Sequence, residues 1–130
     1  MKKEFSTHWK GSSQPRKQRK YAAKAPLHIR RKFLGANLSK DLRKKHGRRS
    51  IEIRKGDTVR IMRGKFRKKQ GKVTEINARR ARIGIEGIQA KKQDGSKVSV
   101  GLKPSNLQIV ELNMEDKMRM AEKPKTEGKK

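Results

Sequence analysis

A chain of 130 residues has room for about one domain with tails. Lys and Arg number 39 against 12 Asp and Glu, a formal net charge of +27, and hydrophobic residues make up only 30%. That balance excludes a sizeable core, and its self-repulsion opposes a compact state that has no negative partner.

In chain order, residues 1–50 read as a basic N-terminal extension with 17 Lys or Arg against 2 acids. Residues 1–14 read as extended. Residues 15–34 hold isolated apolar positions among cations and predict one or two helical turns broken at Pro26. Ser39-Lys40-Asp41-Leu42-Arg43-Lys44-Lys45-His46-Gly47 predicts a short helix. Ser39 caps its start, Asp41 sits in the first turn, cations fill the last turn and Gly47 ends it.

Residues 51–112 read as short strands. Thr58 to Met62, Ala81 to Glu86 and Lys97 to Leu102 alternate apolar and polar, the period of a half-buried strand. Val73 and Ile76 mark another strand after Gly71, and Leu107-Gln108-Ile109 a last one. Turn residues separate them at Lys55-Gly56-Asp57, from Gly64 to Gly71, at Asn77, at Asp94-Gly95 and at Pro104-Ser105-Asn106. Five short strands without a helical insertion predict a mainly β fold, a small antiparallel barrel. Its inward set is Val59, Ile61, Val73, Ile76, Ile83, Ile85, Val98, Val100, Leu102, Leu107 and Ile109. Residues 113–130 follow as a short helix over 114–121, from the spacing of Met114 and Met118, and a disordered tail.

No apolar run nears the roughly 20 residues of a membrane span. No hydrophobic stretch follows the early lysines as in a secretory signal. The chain has no Cys, which excludes disulfides and thiolate chemistry and fits a reducing home. His8, His28 and His46 lack metal-ligand spacing, and no paired carboxylates stand ready for acid–base work, so neither an enzyme nor a cofactor is expected. Gly64 and Gly71-Lys72 are spaced wrongly for a phosphate loop, and Gly84 to Gly87 matches a KH loop only in its glycines.

Nucleic acid is the expected partner. The turn of residues 63–72 carries Arg63, Lys65, Arg67, Lys68, Lys69 and Lys72 with no acid between them. Phosphate oxygens are the natural partner for so many cations. The extension repeats the signal at Arg16, Lys17, Arg19 and Lys20, at Arg30, Arg31 and Lys32, at Arg43 and Lys44, and at Arg48 and Arg49. Phe66, on the basic loop, is the only aromatic the barrel offers, so stacking on a sheet face is not expected. Phosphate contacts and the shape of folded RNA should dominate. Gly64 is expected to supply unusual dihedrals, and Gly71 a close approach to RNA or to a neighbouring strand. Asp57 is expected to cap its turn.

Lys55-Gly-Asp-Thr-Val-Arg-Ile-Met-Arg-Gly64, followed by Gly71-Lys-Val-Thr-Glu-Ile76, resembles a KOW motif. That motif occurs in SH3-like barrels of ribosomal proteins and NusG-type transcription factors. His28 to Phe33, Leu38 to His46 and Arg49 to Asp57 resemble the segment before the motif in the universal large-subunit ribosomal family L twenty-four, in its archaeal and eukaryotic form. Lys103-Pro-Ser-Asn-Leu107 resembles the end of that family's barrel. The resemblance covers roughly residues 15–112 and implies a cytoplasmic, non-catalytic constituent of the large subunit. Its implied partners are large-subunit rRNA, bound near the 5′ region, and neighbouring ribosomal proteins. It also implies a part in starting assembly and a place near the peptide exit tunnel. A NusG-type factor or a DNA-packaging protein is the alternative. In two places the chain departs from the family. Lys68 stands where many members have glycine. If that position needs positive φ, lysine costs about 1 kcal/mol. Either the loop then differs locally or the extra cation offsets the strain through a phosphate. Glu52 stands where proline is common, which leaves the entry into the barrel less rigid.

Overall fold

The structure, a computed structural model, describes residues 5–120. Its helices are α1 (Pro15–Lys24), α2 (Leu27–Lys32) and α3 (Lys40–His46). Its strands are β1 (Gly35–Leu38), β2 (Ser50–Glu52), β3 (Thr58–Ile61), β4 (Gln70–Asn77), β5 (Arg82–Lys91), β6 (Lys97–Leu102) and β7 (Leu107–Glu111). Pro15 opens α1 where its missing N–H costs nothing. The Ala25-Pro26 step separates α1 from α2, as the sequence predicts, but the helices, of 10 and 6 residues, run beyond the one or two turns expected. The Ser39 hydroxyl accepts from Leu42 N, and Gly47 closes α3 at φ +62°, again as predicted. Instead of being wholly extended, the segment before α1 forms a short 3₁₀ turn, Thr7–Trp9. Its N-cap is Ser6, whose hydroxyl accepts from His8 N.

The seven strands form one sheet in the order β2-β1-β7-β3-β4-β5-β6. It departs from the predicted barrel in two respects. The sheet is mixed, because β1 runs parallel to β7, and it is open, because no ladder among the described residues joins β2 to β6. The extra strands, β1 and β2, come from the basic extension and its junction. The core reaches there too, with Leu34, Ala36 and Leu38 buried.

Leu34, Ala36, Leu38, Ile53, Val59, Ile61, Val73, Ile83, Ile85, Ile88, Leu107 and Ile109 form one buried cluster. Helices α1 and α2 bury a separate, smaller one around Tyr21, Ala25 and Ile29. With β1 and β5 four strand spacings apart, about 19 Å in a flat sheet, the sheet must curl over its own apolar face to bury both. Register shifts between Val73 and Glu75 and between Gly84 and Gln89 supply that curvature. One predicted inward residue is misplaced. Val98 is 40% exposed, since it lies on the edge strand β6 where that strand pairs with Ala90 of β5, beyond the bend at Gly87. Ile76, Val100 and Leu102 are only partly buried against the core.

The chain's C-terminal segment closes the structure. The predicted helix over 114–121 shrinks to a 3₁₀ turn, Lys117–Met120, with Met114 and Met118 exposed. The expectation of a disordered tail falls outside the described residues. Arg119 enters the fold from this turn and meets Asp57, which is fully buried. The guanidinium donates to Asp57 Oδ1 at 2.6 Å and Oδ2 at 2.5 Å, and also to Asn113 O and Glu52 O. Asp57 accepts two backbone N–H bonds besides, from Arg54 and Asn113, each at 2.9 Å. It thus caps its turn, as predicted, and also holds a buried ion pair. Gly56, at φ +88°, lets Asn113 pack close, since a Cβ there would sit 2.5 Å from Asn113 Nδ2. Entry at Glu52 is pinned without proline, by its carbonyl on Arg119 and by the β2 pairing of Glu52 with Gly35.

Removing one partner of a buried ion pair typically costs about 3–5 kcal/mol. Asp57→Ala should therefore lose about that much in urea unfolding, as much as a core this small supplies. The apolar double variant Asp57→Leu/Arg119→Met should stay about 1–2 kcal/mol below the parent. The partly buried N–H groups of Arg54 and Asn113 would lose their acceptor, and a lost hydrogen bond costs about 0.5–1.5 kcal/mol. Parent-like stability in either variant contradicts this account.

Candidate nucleic-acid interface

The basic hairpin is built outward from the core. Ile61 and Val73 are buried at its base. Between them, Arg60 pairs with Gln70, Ile61 N donates to Lys69 O, and Lys68 N donates to Ile61 O at 2.8 Å. Met62 N donates to Asn106 O, which ties the loop to the turn before β7. Gly64, at φ +95°, turns the chain out of β3. Gly71 serves the sheet: a Cβ there would lie 2.7 Å from Ile85 Cγ2 and 2.8 Å from Glu86 O on β5. Of the two uses open to Gly71, approach to a neighbouring strand is the one observed.

Arg63, Lys65, Arg67, Lys68, Lys69 and Lys72 are all exposed. Among the described residues none of them joins an ion pair, unlike Arg119, which pairs with Asp57, and Arg54, which pairs with Asp116. The Arg54 hydrogen bond holds the Asp116 carboxyl below its ordinary pKa. Lys68 adopts φ +74°. The glycine-like conformation implied for that position is therefore real, and lysine bears its strain. Phe66, expected among the rRNA-contacting residues of the loop, is half-buried. It packs partly buried against the core, with Lys69 Nζ 5.4 Å from its ring centroid.

In the extension, Arg16, Arg19, Lys20, Arg31, Lys32, Lys44 and Arg49 are exposed, and Lys17, Arg30, Arg43 and Arg48 are half-buried. Arg30 has a structural duty, donating to Ala23 O at 2.7 Å across the α1–α2 break. Two exposed cation groups escaped the sequence reading. Arg79, Arg80 and Arg82 ring the β4–β5 turn, where Ala81 also has positive φ, and Lys91, Lys92 and Lys97 flank the β5–β6 turn. Their signal was present in Arg79-Arg80-Ala81-Arg82, a cation run at a turn. No group of three or more potential metal ligands occurs among the described residues, and no helix there is long and apolar enough to cross a membrane.

A curled sheet that buries its apolar residues and holds on its turns cations without an ion pair among the described residues has the character of a small protein suited to a polyanion. A family comparison makes the assignment specific. The profile of the ribosomal proteins called L twenty-six in eukaryotes and L twenty-four in archaea matches residues 12–122. The chain belongs to that family, with a structural role in the large ribosomal subunit.

Lys68→Gly separates strain from binding. It should stabilise the free protein by about 1 kcal/mol in urea unfolding. It should also weaken rRNA-fragment binding and lower its salt slope by roughly 0.7–0.9, one phosphate contact. Weaker binding with no stability gain contradicts the strain assigned to Lys68.

Proposed function

We propose that this chain binds large-subunit rRNA directly, near the 5′ region, and helps to start subunit assembly close to the peptide exit tunnel. Neighbouring large-subunit proteins are its other partners, and the cytoplasmic ribosome is its place. It is a structural constituent and not an enzyme. Its fold in this reading is an SH3-like KOW barrel, left open between β2 and β6. The observation that carries the reading is the hairpin loop. Six exposed cations, without an ion pair among the described residues, project from a base anchored by Ile61 and Val73. That arrangement costs self-repulsion until phosphates neutralise it. The NusG-type and DNA-packaging alternatives have no support, since the family match spans both extension and sheet.

Affinity for rRNA fragments should fall steeply with salt. Lys65→Gln/Arg67→Gln/Lys69→Gln should lower the log–log slope by about 2–3, at roughly 0.7–0.9 per lost phosphate contact. An unchanged slope sinks the hairpin as an interface. The extension must be tested by a cut that spares β1, whose loss would open the core. Removal of residues 1–26 leaves Leu34, Ala36 and Leu38 in place and takes away Arg16, Lys17, Arg19 and Lys20. The truncated protein should fold and bind rRNA more weakly; equal affinity means that the extension contributes nothing.

A further inference from the structure

We propose that the N-terminal segment carries a docking site for one unstacked RNA base together with its flanking phosphates. The site deepens the rRNA reading above and rests on it. Its walls are Phe5, Trp9 and Tyr21, and its rim is Lys17, Lys20 and Lys24. These aromatics are scattered in sequence and converge only in the fold.

Tyr21 is buried on α1, and the Phe5 ring meets it with centroids 5.3 Å apart. Trp9 ends the 3₁₀ turn, and Gln18 of α1 pins the chain after it. Gln18 Nε2 donates to Lys10 O at 3.0 Å and to Ser12 O at 2.7 Å. Between turn and helix lies a cavity of about 330 Å³, within the range of about 300–1,000 Å³ usual for small-ligand sites. Trp9 remains 49% exposed, so its indole is accessible beside that cavity. Lys17, Lys20 and Lys24 fall at helical spacing on one stripe of α1 and border the opening.

An aromatic slot with an ammonium rim matches a nucleotide on both counts. A bare phosphate would leave the rings without a partner, and an uncharged apolar ligand would leave the lysines without one. Base stacking on an aromatic ring tolerates any sequence, because every base has a π-face. In the free chain Lys17 Nζ lies 3.6 Å from the centroid of the Trp9 ring. A phosphate is a stronger partner for an ammonium than an exposed ring is. An arriving nucleotide therefore draws Lys17 to its backbone and frees that face of the indole for the base.

Trp9 is the chain's only tryptophan, so its fluorescence reports this site alone. The full chain is titrated with octauridylate and with an octamer of the same backbone lacking every base, and binding of each labelled RNA is followed by anisotropy. Octauridylate should quench Trp9 and the abasic octamer should not. Trp9→Leu should weaken octauridylate binding by about 5- to 150-fold with its salt slope unchanged, because no phosphate contact is lost. Lys20→Gln/Lys24→Gln should lower the slope and leave the quench at saturation intact. Equal quenching by the abasic octamer overturns the proposal. So does equal quenching by octaglutamate, which would make an acidic protein segment the occupant. Steep, salt-dependent RNA binding without any quench removes the base site and leaves the rRNA reading standing. Failure of both octamers to bind while an rRNA fragment still binds likewise removes the base site alone; failure of the rRNA fragment as well removes both.

Discussion

The buried pair of Asp57 and Arg119 is the constraint on which the rest of the architecture depends. Its two residues lie 62 apart in sequence, so the pair joins the turn before β3 to the segment after β7. Through Glu52 O it also holds the end of β2. Five groups converge on one carboxylate or its partner: two backbone amides, a guanidinium and two peptide carbonyls. A charge pair taken from water is tolerated only when its remaining valences are met. Here Asp57 has every oxygen engaged, while Arg119 keeps only its Nε without a partner among the described residues. The pair thus fastens the segment after β7 to the turn before β3 and to the end of β2.

The remainder of the molecule separates two tasks that conflict. A chain with +27 formal charge must keep like charges apart while a small core forms. The apolar residues are gathered inside a curled sheet, and the cations stand on turns and short helices around it. The glycines mediate between the two. Gly71 lets β4 lie against β5 without a side chain in the way, which fixes the base of the hairpin, and Gly64 releases the loop outward. Lys68 is where the tasks collide: it occupies a backbone conformation suited to glycine, so a cation has been kept at a conformational cost.

Much of this was legible in the sequence. Period-two alternation located β3, β5 and β6, apolar residues after a turn marked β4 and β7, and Ser39 with Gly47 bounded α3, because capping and pleating are local effects. The β1 and β2 strands were not legible. Gly35-Ala36-Asn37-Leu38 offers only two inward residues, too few to show a period, and its partners Ser50–Glu52 and Leu107–Glu111 lie far along the chain. Val98 shows the opposite failure. Its alternation is regular, and Val100 and Leu102 in the same phase pack against the core, but Val98 lies at the start of this edge strand, beyond the bend in β5, where the core no longer reaches. Of the candidate site residues, the hairpin cations sit exposed as their composition implied. Phe66 and Arg30 are partly committed to the fold, because a ring beside the core and a guanidinium near a free carbonyl find partners that composition cannot reveal.

By itself the sequence determined the class of partner, the short-strand character and the placement of the cations on turns. Charge, periodicity and turn chemistry are properties of neighbouring residues and survive in the linear chain. Only the tertiary structure decided that Asp57 and Arg119 meet, that the sheet is mixed and open, and that Phe5, Trp9 and Tyr21 share one cavity. Each of those outcomes depends on residues brought together across long loops. The free energy that selects them comes from shared burial and long-range pairing, and no local pattern records it.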